Sequence, residues 1–476
     1  MQLKWKRGLS MHDYIIKNGT VVTAMGVCRT DIAVKGEKIA ALGESEFLGE
    51  AREVIDASGK IVVPGLIDPH VHIAAPFMGC IGPLDFYSAS KAAALGGVTS
   101  IIDFTNTQPG DSVLQKIEHR KEEMANAAID YGIHAKIVEA TDAIIGEIKG
   151  MVEAGCPTLK LFTTYRKAGV MIPDEDIVRV MLEAKKWGAR PGVHAEDNTL
   201  SEYNDDLFAA QGKTDWNYHY LSKPPIVEGL ATAKIIDYAK FAGCELYIFH
   251  VTCIESIDAI KRAQKEGYPI IGETCIHYLE LTKEVLDDAD TGFRYICSPP
   301  LRDKKDNAAL WDALSEGTLS LVSSDNCLYD DKEKTSFLEK DARGNVIRDY
   351  KKIANGVSGM EERLPLLMTD GVGSGKISLE QLVELSSTNP AKIFGMYPKK
   401  GVIQPGSDAD IVLIDPDAKM TLSAKTLHYG IDSSVYEGKE IKGMPVMTMR
   451  RGEVIAKDGE FFGKPGTGQF LHRTLG

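Results

Sequence analysis

The sequence predicts a (β/α)8 barrel, a TIM barrel, carrying a small β-sandwich domain built from both termini. Three observations predict it. The chain has 476 residues, more than one domain of ordinary size. Its middle alternates β-branched apolar runs with amphipathic helical patterns, eight times in succession. Both ends, by contrast, are all-β in character.

Taken in order, the N-terminal part begins at Met11, and the first ten residues read as an extension with no role in the fold. "YIIKNGTVVT" carries an Asn-Gly hairpin signal at Asn18 and Gly19. "DIAVKGEKIAALG" repeats it around Gly36, and "EVIDASGKIVVPG" adds another strand pair. The barrel strands follow in "KIVVPGLIDPHVHI", "VTSIIDF", "GIHAKIVEA", "PTLKLFTT", "RPGVHAED", "ELYIFHVT", "YPIIGETC" and "LSLVSSDNC". Between them, segments such as "DEDIVRVMLEAKKWG" and "EGLATAKIIDYAKFAG" have charged first turns and stop at glycine. "GVGSGK" (Gly371 to Lys376) lacks phosphate-loop spacing and reads as a turn between helices. "SDADIVLIDP" and "PVMTMRRGEVIAKDGEFFG" return to β pattern. Two such β regions, at opposite ends of the chain, most simply close into one sandwich. The expected boundaries are 11–62 and 399–460 for the sandwich, 63–398 for the barrel and 461–476 for a tail. The tail cannot make its own core, so it is expected to fray or to dock on a neighbouring subunit.

Composition excludes several classes of function. With 43% hydrophobic and 26% charged residues the core can be large. A net charge of −13 argues against nucleic acid or an anionic membrane as partner. No apolar run approaches a spanning helix, and "MQLKWKRGLS" has no apolar stretch of a secretory signal. The eight cysteines are scattered without a C-x-x-C pair, which predicts buried thiols and a reducing cytoplasm.

The strand ends carry the chemistry. Each apolar run closes on a polar residue: His70 and His72, Asp103, Glu139, Lys160, His194, His250, Glu273 and Asp325. In such barrels the reactive groups sit at the C-terminal ends of the strands. His70, His72, Lys160, His194, His250 and Asp325 are therefore expected to converge. Two residues apart on a strand, His70 and His72 share one face. Four imidazoles and a carboxylate suit zinc, or manganese or iron. Five ligands exceed one open tetrahedral site and fall short of two, so two metals would need a bridging group. A charged Lys160 would be repelled by two dications. As a neutral amine it can add carbon dioxide, and the carbamate is an anionic ligand able to bridge. A lone strand-end lysine would instead snorkel to solvent; within this set the carbamate is the better account. A water held between two metals is a nucleophile at neutral pH. Asp325 is placed to ligate and to shuttle protons, and Tyr165 to stabilise the developing oxyanion. The plain alternative for Tyr165 is a half-buried loop aromatic. His134 lies away from the chemical end, and His277 either lines the site or packs locally.

The motifs His-x-His after "GLIDP", then "LKLF" with Tyr165, "VHAE", "FHVT" and "SSD-C", resemble the amidohydrolase superfamily. Within it the chain is similar to the dihydropyrimidinase/hydantoinase group of cyclic amidases, from about residue 12 to 465. Supporting stretches include "KPPIVEG", "CSPPLR", "NGVSGMEERLPLL" and "NPAKIFGMYPKKG". The resemblance implies that His70, His72 and Asp325 bind one metal, His194 and His250 the other, and N6-carboxylated Lys160 bridges them. It implies that main-chain groups at Ser298 and Asn355 hold a cyclic amide beside Tyr165. The loops "AAPFMGCIGPLDF" and "TTYRKAGVM", with Phe77 and Met78, would surround the ring substituent. The implied reaction is hydrolysis of a dihydropyrimidine or 5-substituted hydantoin to an N-carbamoyl amino acid, by a homotetramer.

The chain departs from that group at Asn326, where histidine usually follows the metal-binding aspartate. Dihydroorotases usually carry arginine two residues after His-x-His to bind a substrate carboxylate; Ala74 stands there and argues against that activity. An allantoinase uses the same metal logic and is the alternative. A non-catalytic scaffold, as in the collapsin-response-mediator proteins, would lack several ligands that this chain retains. The insertion "LYDDKEKTSFLEKDARGNVIRDYKK" is charged and expected as a solvated or mobile loop above the site.

Overall fold

The computed structural model describes residues 11–77 and 79–475. Eight parallel strands form the barrel sheet: β1 (Leu66–Val71), β2 (Val98–Phe104), β3 (Asp130–Lys136), β4 (Thr158–Phe162), β5 (Arg190–His194), β6 (Leu246–Ile248), β7 (Ile270–Cys275) and β8 (Leu319–Ser323). Each predicted run supplies one of them. Helices such as Asp174–Trp187 cover the outside. Its first turn is acidic, Lys185 and Lys186 end it, and Gly188 caps it in the left-handed conformation, as the helix dipole and the missing Cβ favour. The seam between β1 and β8 closes by a parallel bridge from Val71 to Asn326, with the His72 N–H donating to the Asn326 carbonyl at 2.9 Å. Arg363 braces the same seam, donating to the carbonyls of Ile67 and Val322.

The first run divides. Ile61–Pro64 pairs with Thr20–Thr23 and Ile411–Thr421 in a seven-stranded sheet, while Leu66–Val71 enters the barrel. The handover, expected between residues 62 and 63, is Gly65. A Cβ there would lie 2.3 Å from Thr99 Oγ1 and 2.9 Å from Asp410 Cβ, so only glycine lets the two sheets meet. The seven-stranded sheet joins both termini, and a four-stranded sheet from residues 12–56 packs against it through Ile16, Val34, Val62, Leu413 and Met447. This is the predicted sandwich, with one correction. Asn18-Gly19 does not close a hairpin: His12–Lys17 belongs to the four-stranded sheet and Thr20–Thr23 to the other. The segment 51–64 crosses between the same sheets alongside it. The two crossings run parallel, tied by Ala57 N–H to the Lys17 carbonyl and Thr20 N–H to the Lys60 carbonyl. Asn18 supplies the left-handed residue (φ 67°) that the crossing needs. Gly36 does close a true hairpin, between Asp31–Lys35 and Lys38–Gly43.

Among the described residues the tail packs on its own barrel. Phe470 bridges to Tyr131 beside β3, Leu471 joins the barrel-interior cluster with Phe394 and Met396, and Arg473 is fully buried, its guanidinium donating to Thr158 Oγ1 at 3.1 Å and to the Ile133 carbonyl. Its two apolar residues find cover in the open floor of their own barrel.

Candidate metal centre at the barrel mouth

The strand ends bring the six predicted ligands together. His70, His72, Lys160, His194, His250 and Asp325 all line one cavity of about 590 Å3 at the barrel mouth. His70 Nε2 and His72 Nε2 lie 3.0 and 3.2 Å from Asp325 Oδ1. His194 Nδ1 lies 2.9 Å from His250 Nε2. The geometry therefore sorts five of them into a triad and a pair. His250 and Asp325 both adopt left-handed backbone (φ 39° and 48°), as does Tyr165 (φ 68°). Such conformations cost of order 1–3 kcal/mol each and persist where surrounding structure enforces them.

Buried carboxylates stand behind the imidazoles. His70 Nδ1 meets Glu273 Oε1 at 2.7 Å, and Tyr247 also donates its hydroxyl to Glu273. His194 Nε2 meets Glu196 Oε2 at 2.7 Å. Burial disfavours the charged form of His70, yet Asp325 and Glu273 hold its pKa up at about 9. Such partners fix which nitrogen faces the centre. Lys160 is buried, its Nζ 3.6 Å from the Phe249 ring centroid, and it has no ion pair among the described residues. Burial pushes its pKa down to about 8, against the pull of Asp325 and Glu273. Tyr165 caps the cavity, its ring 5.3 Å from that of His194; burial raises its phenol to about 12. It remains a proton donor at neutral pH.

The sequence model of the amidohydrolase family matches residues 61–455. This chain belongs to the amidohydrolase family. Its curated relatives include a D-hydantoinase from Ralstonia pickettii, 42% identical over 97% of this chain and 99% of that protein. A dihydropyrimidinase from Arabidopsis thaliana is 35% identical over 98% and 86% of the two chains. Among solved structures, the dihydropyrimidinase from Brevibacillus agri NCHU1002 superposes with a TM-score of 0.93 at 39% identity, covering 97% of this chain and 99% of that one.

The amidohydrolase family is metal-dependent, and the donor set fits a metal. His70, His72 and Asp325 offer three ligand atoms within 4.8 Å of one another. His250 Nδ1 is buried without a hydrogen-bond partner, and burial beside His194 and Lys160 holds its pKa well below the ordinary imidazole value, so its neutral ring can offer a lone pair to an ion. His70 Nε2 and Asp325 Oδ1 lie 3.0 Å apart, close enough to take part in one site.

The walls of this amidohydrolase cavity follow the predicted loops in part. Ser298 and Asn355 line it, and the Asn355 side-chain amide donates to Ser298 Oγ at 2.8 Å. Their main-chain N–H and carbonyl groups make no hydrogen bond among the described residues. Ala75, Pro76, Ala168 and Val170 come from the two expected substituent loops. The Phe77 side chain and Met78 lie outside the described residues. Asn326, in the place of the usual histidine, is buried; its side chain accepts from the Gly359 N–H at 3.3 Å and so holds the strip that carries Asn355. The charged insertion is anchored rather than loose. Lys334 is buried and donates to the carbonyls of Arg294 (2.9 Å) and Ile296 (3.3 Å), because three carbonyls converge there; Gly356 supplies the third. Tyr350 and Lys351 reach the cavity, and the tip around Arg343 is exposed.

His277 lines the cavity with neither ring nitrogen bonded, and burial pushes its pKa down to about 4. His134 is structural, bonded to Thr158 and the Pro69 carbonyl. Sequence reasoning gave no role to Glu196, Lys223, His219 or Lys136, although the last three line the cavity. Glu196 was signalled by its position two residues past His194. Lys223, in "KPP", lies 3.9 Å from Glu196 and had no signal of its own. Of the other strand-end residues, Asp103 is taken up by Arg120 (2.8 Å), and Glu139 accepts the Gly110 N–H outside the centre.

Proposed function

We propose that this amidohydrolase opens the ring amide bond of dihydropyrimidines and 5-substituted hydantoins, giving N-carbamoyl amino acids. The observation that carries the reading is the convergence of four imidazoles, a carboxylate and an anion-free buried lysine on one cavity. It joins 35–42% identity to proteins named for these substrates. His70, His72 and Asp325 would hold one divalent cation, zinc or manganese, and His194 and His250 a second. Lys160, as the N6-carboxylated form, would bridge them; its depressed pKa supplies the neutral amine that carbon dioxide requires. When bound, the ions polarise a carbonyl and lower the pKa of water. Main-chain groups of Ser298 and Asn355 bind and orient the ring. The Tyr165 hydroxyl donates to the oxygen that gains charge as the carbonyl is attacked. Asp325 Oδ holds the proton released in that attack and passes it to the leaving nitrogen.

The reading extends to setting. All eight cysteines are free thiols, which supports a reducing cytoplasm. Exposed Ile226, Leu230 and Phe241 on the helix Pro225–Ala242 support assembly, taken as a homotetramer; light scattering tests it. The sandwich serves as a separate support domain for the barrel.

Metal content and ring opening, measured together on the wild type and Lys160→Ala with bicarbonate present, test the function. Two metals per chain, dihydrouracil hydrolysis, and loss of both in the variant with partial rescue by a short carboxylic acid are expected. A metal-loaded protein inert on dihydrouracil and hydantoins would overturn the substrate, with allantoin next; a protein that cannot be loaded would overturn the enzyme.

A further inference from the structure

The cavity wall formed after β2 and β3 carries three side-chain donors that make no hydrogen bond or ion pair among the described residues. Lys136 ends β3, in register with Lys160 of β4, so both side chains face the same side of the sheet. Its backbone N–H donates to Thr105 Oγ1 at 2.8 Å, which ties it to the loop bearing Asn106 and Gln108. All three residues line the cavity. Among the described residues, the Lys136 ammonium has no ion pair, and the Asn106 and Gln108 amides make no side-chain hydrogen bond.

The other charges around the mouth are accounted for. Lys167 pairs with Asp206 at 2.9 Å, Arg166 with Glu202, and Asp205 accepts from the Tyr350 hydroxyl at 2.5 Å. Lys223 faces Glu196, and Lys351 is exposed to solvent. Among the described residues lining the cavity, Lys136 is a half-buried cation without an ion pair. A half-buried charge gives up hydration that nothing in the protein returns. An ammonium and two amide donors lining one cavity supply groups that suit the two oxygens of a carboxylate. Lys136 lines the same cavity as Pro76 and Val170, which belong to the loops expected around the ring substituent.

We propose that Lys136, with Asn106 and Gln108, is a carboxylate-binding subsite, and that the preferred substrates are cyclic amides whose ring substituent ends in a carboxylate. This rests on the cyclic-amide reading above. The bond changes are those of that reaction: water adds across the ring C–N bond, the nitrogen takes the proton, and the substituent carboxylate is unchanged. The product is the N-carbamoyl derivative of an acidic amino acid.

The test compares hydantoin-5-propionate with its carboxamide, a neutral ring of the same shape. In the wild type kcat/KM favours the carboxylate by about tenfold or more, the scale of one charge-assisted hydrogen bond. In Lys136→Met that ratio falls toward one through KM, and Lys136→Arg retains most of it. Gln108→Ala, at an exposed position, lowers the ratio by a smaller factor and serves should Lys136→Met fold poorly. Equal kcat/KM for the two rings in the wild type, or a ratio unmoved in Lys136→Met, overturns the subsite while dihydrouracil opening stands. Failure to open any of the three rings overturns the cyclic-amide reading, and the subsite with it.

Discussion

At the floor of the barrel, Lys400 Nζ lies 2.7, 3.1 and 2.6 Å from Asp130, Asp408 and Asp410, and Arg451 Nε lies 3.1 Å from Asp130. At the mouth, Lys160 is buried as deeply and has no ion pair among the described residues, and His250 Nδ1 has no hydrogen-bond partner. The three floor aspartates also meet a ligand-distance criterion for a metal, but Lys400 already fills the space between them. Both ends therefore bury charge, and only one leaves it uncompensated. A buried charge with partners is structure; one without them is held ready for something that arrives. The candidate metal centre differs from the ionic knot in that respect and not in the number of acidic or basic groups.

Substitutions at the two ends should separate along the same line. The largest effect is expected from Asp325→Asn, which on the proposed reading removes a ligand and the proton carrier together: metal content falls and ring opening drops to background, with the thermal midpoint of the metal-free protein nearly unchanged. Chelator treatment of the wild type should reproduce the loss of activity, reversed by zinc or manganese, while the circular dichroism of the barrel persists. Next comes Tyr165→Phe, expected to cost about 10²–10³ in kcat with metal content intact. At the floor, Asp130→Ala leaves Lys400 and Arg451 short of an anion and should cost about 3–5 kcal/mol of stability, read as a lower midpoint, with full metal loading in the fraction that folds. The smallest effect is expected from Arg473→Ala, which frees the Thr158 hydroxyl and the Ile133 carbonyl from their donor, about 1–3 kcal/mol. A floor variant that lost metal while staying folded, or a mouth variant that melted early, would break the comparison.

Much of this was legible in the chain before it folded. The eight barrel strands were readable because each carries its own apolar run and turn signals, a local property. The convergence of the six candidate ligands was readable because a barrel places strand ends together, so position along each run stood in for position in space. Other features had no local signal. Asn18-Gly19 looks the same whether the flanking strands pair with each other or part into two sheets, since the turn residue constrains the backbone and not its partners. The tail composition specifies a need for cover and not where cover is found. Lys334 reads as part of a solvated charge run, and only the convergence of three carbonyls buries it. Lys136, Glu196 and Lys223 are ordinary charged residues in sequence.

The sequence by itself determined the barrel, the sandwich of both ends and the identities of the six convergent residues, because periodicity and residue chemistry act over short stretches. Tertiary structure decided which charges are answered and which are not: Lys400 among three aspartates, Arg473 under the barrel, Lys160 and Lys136 facing the cavity. Pairing depends on what lies within a few ångströms in space, and for most of these groups those neighbours are far away in the chain.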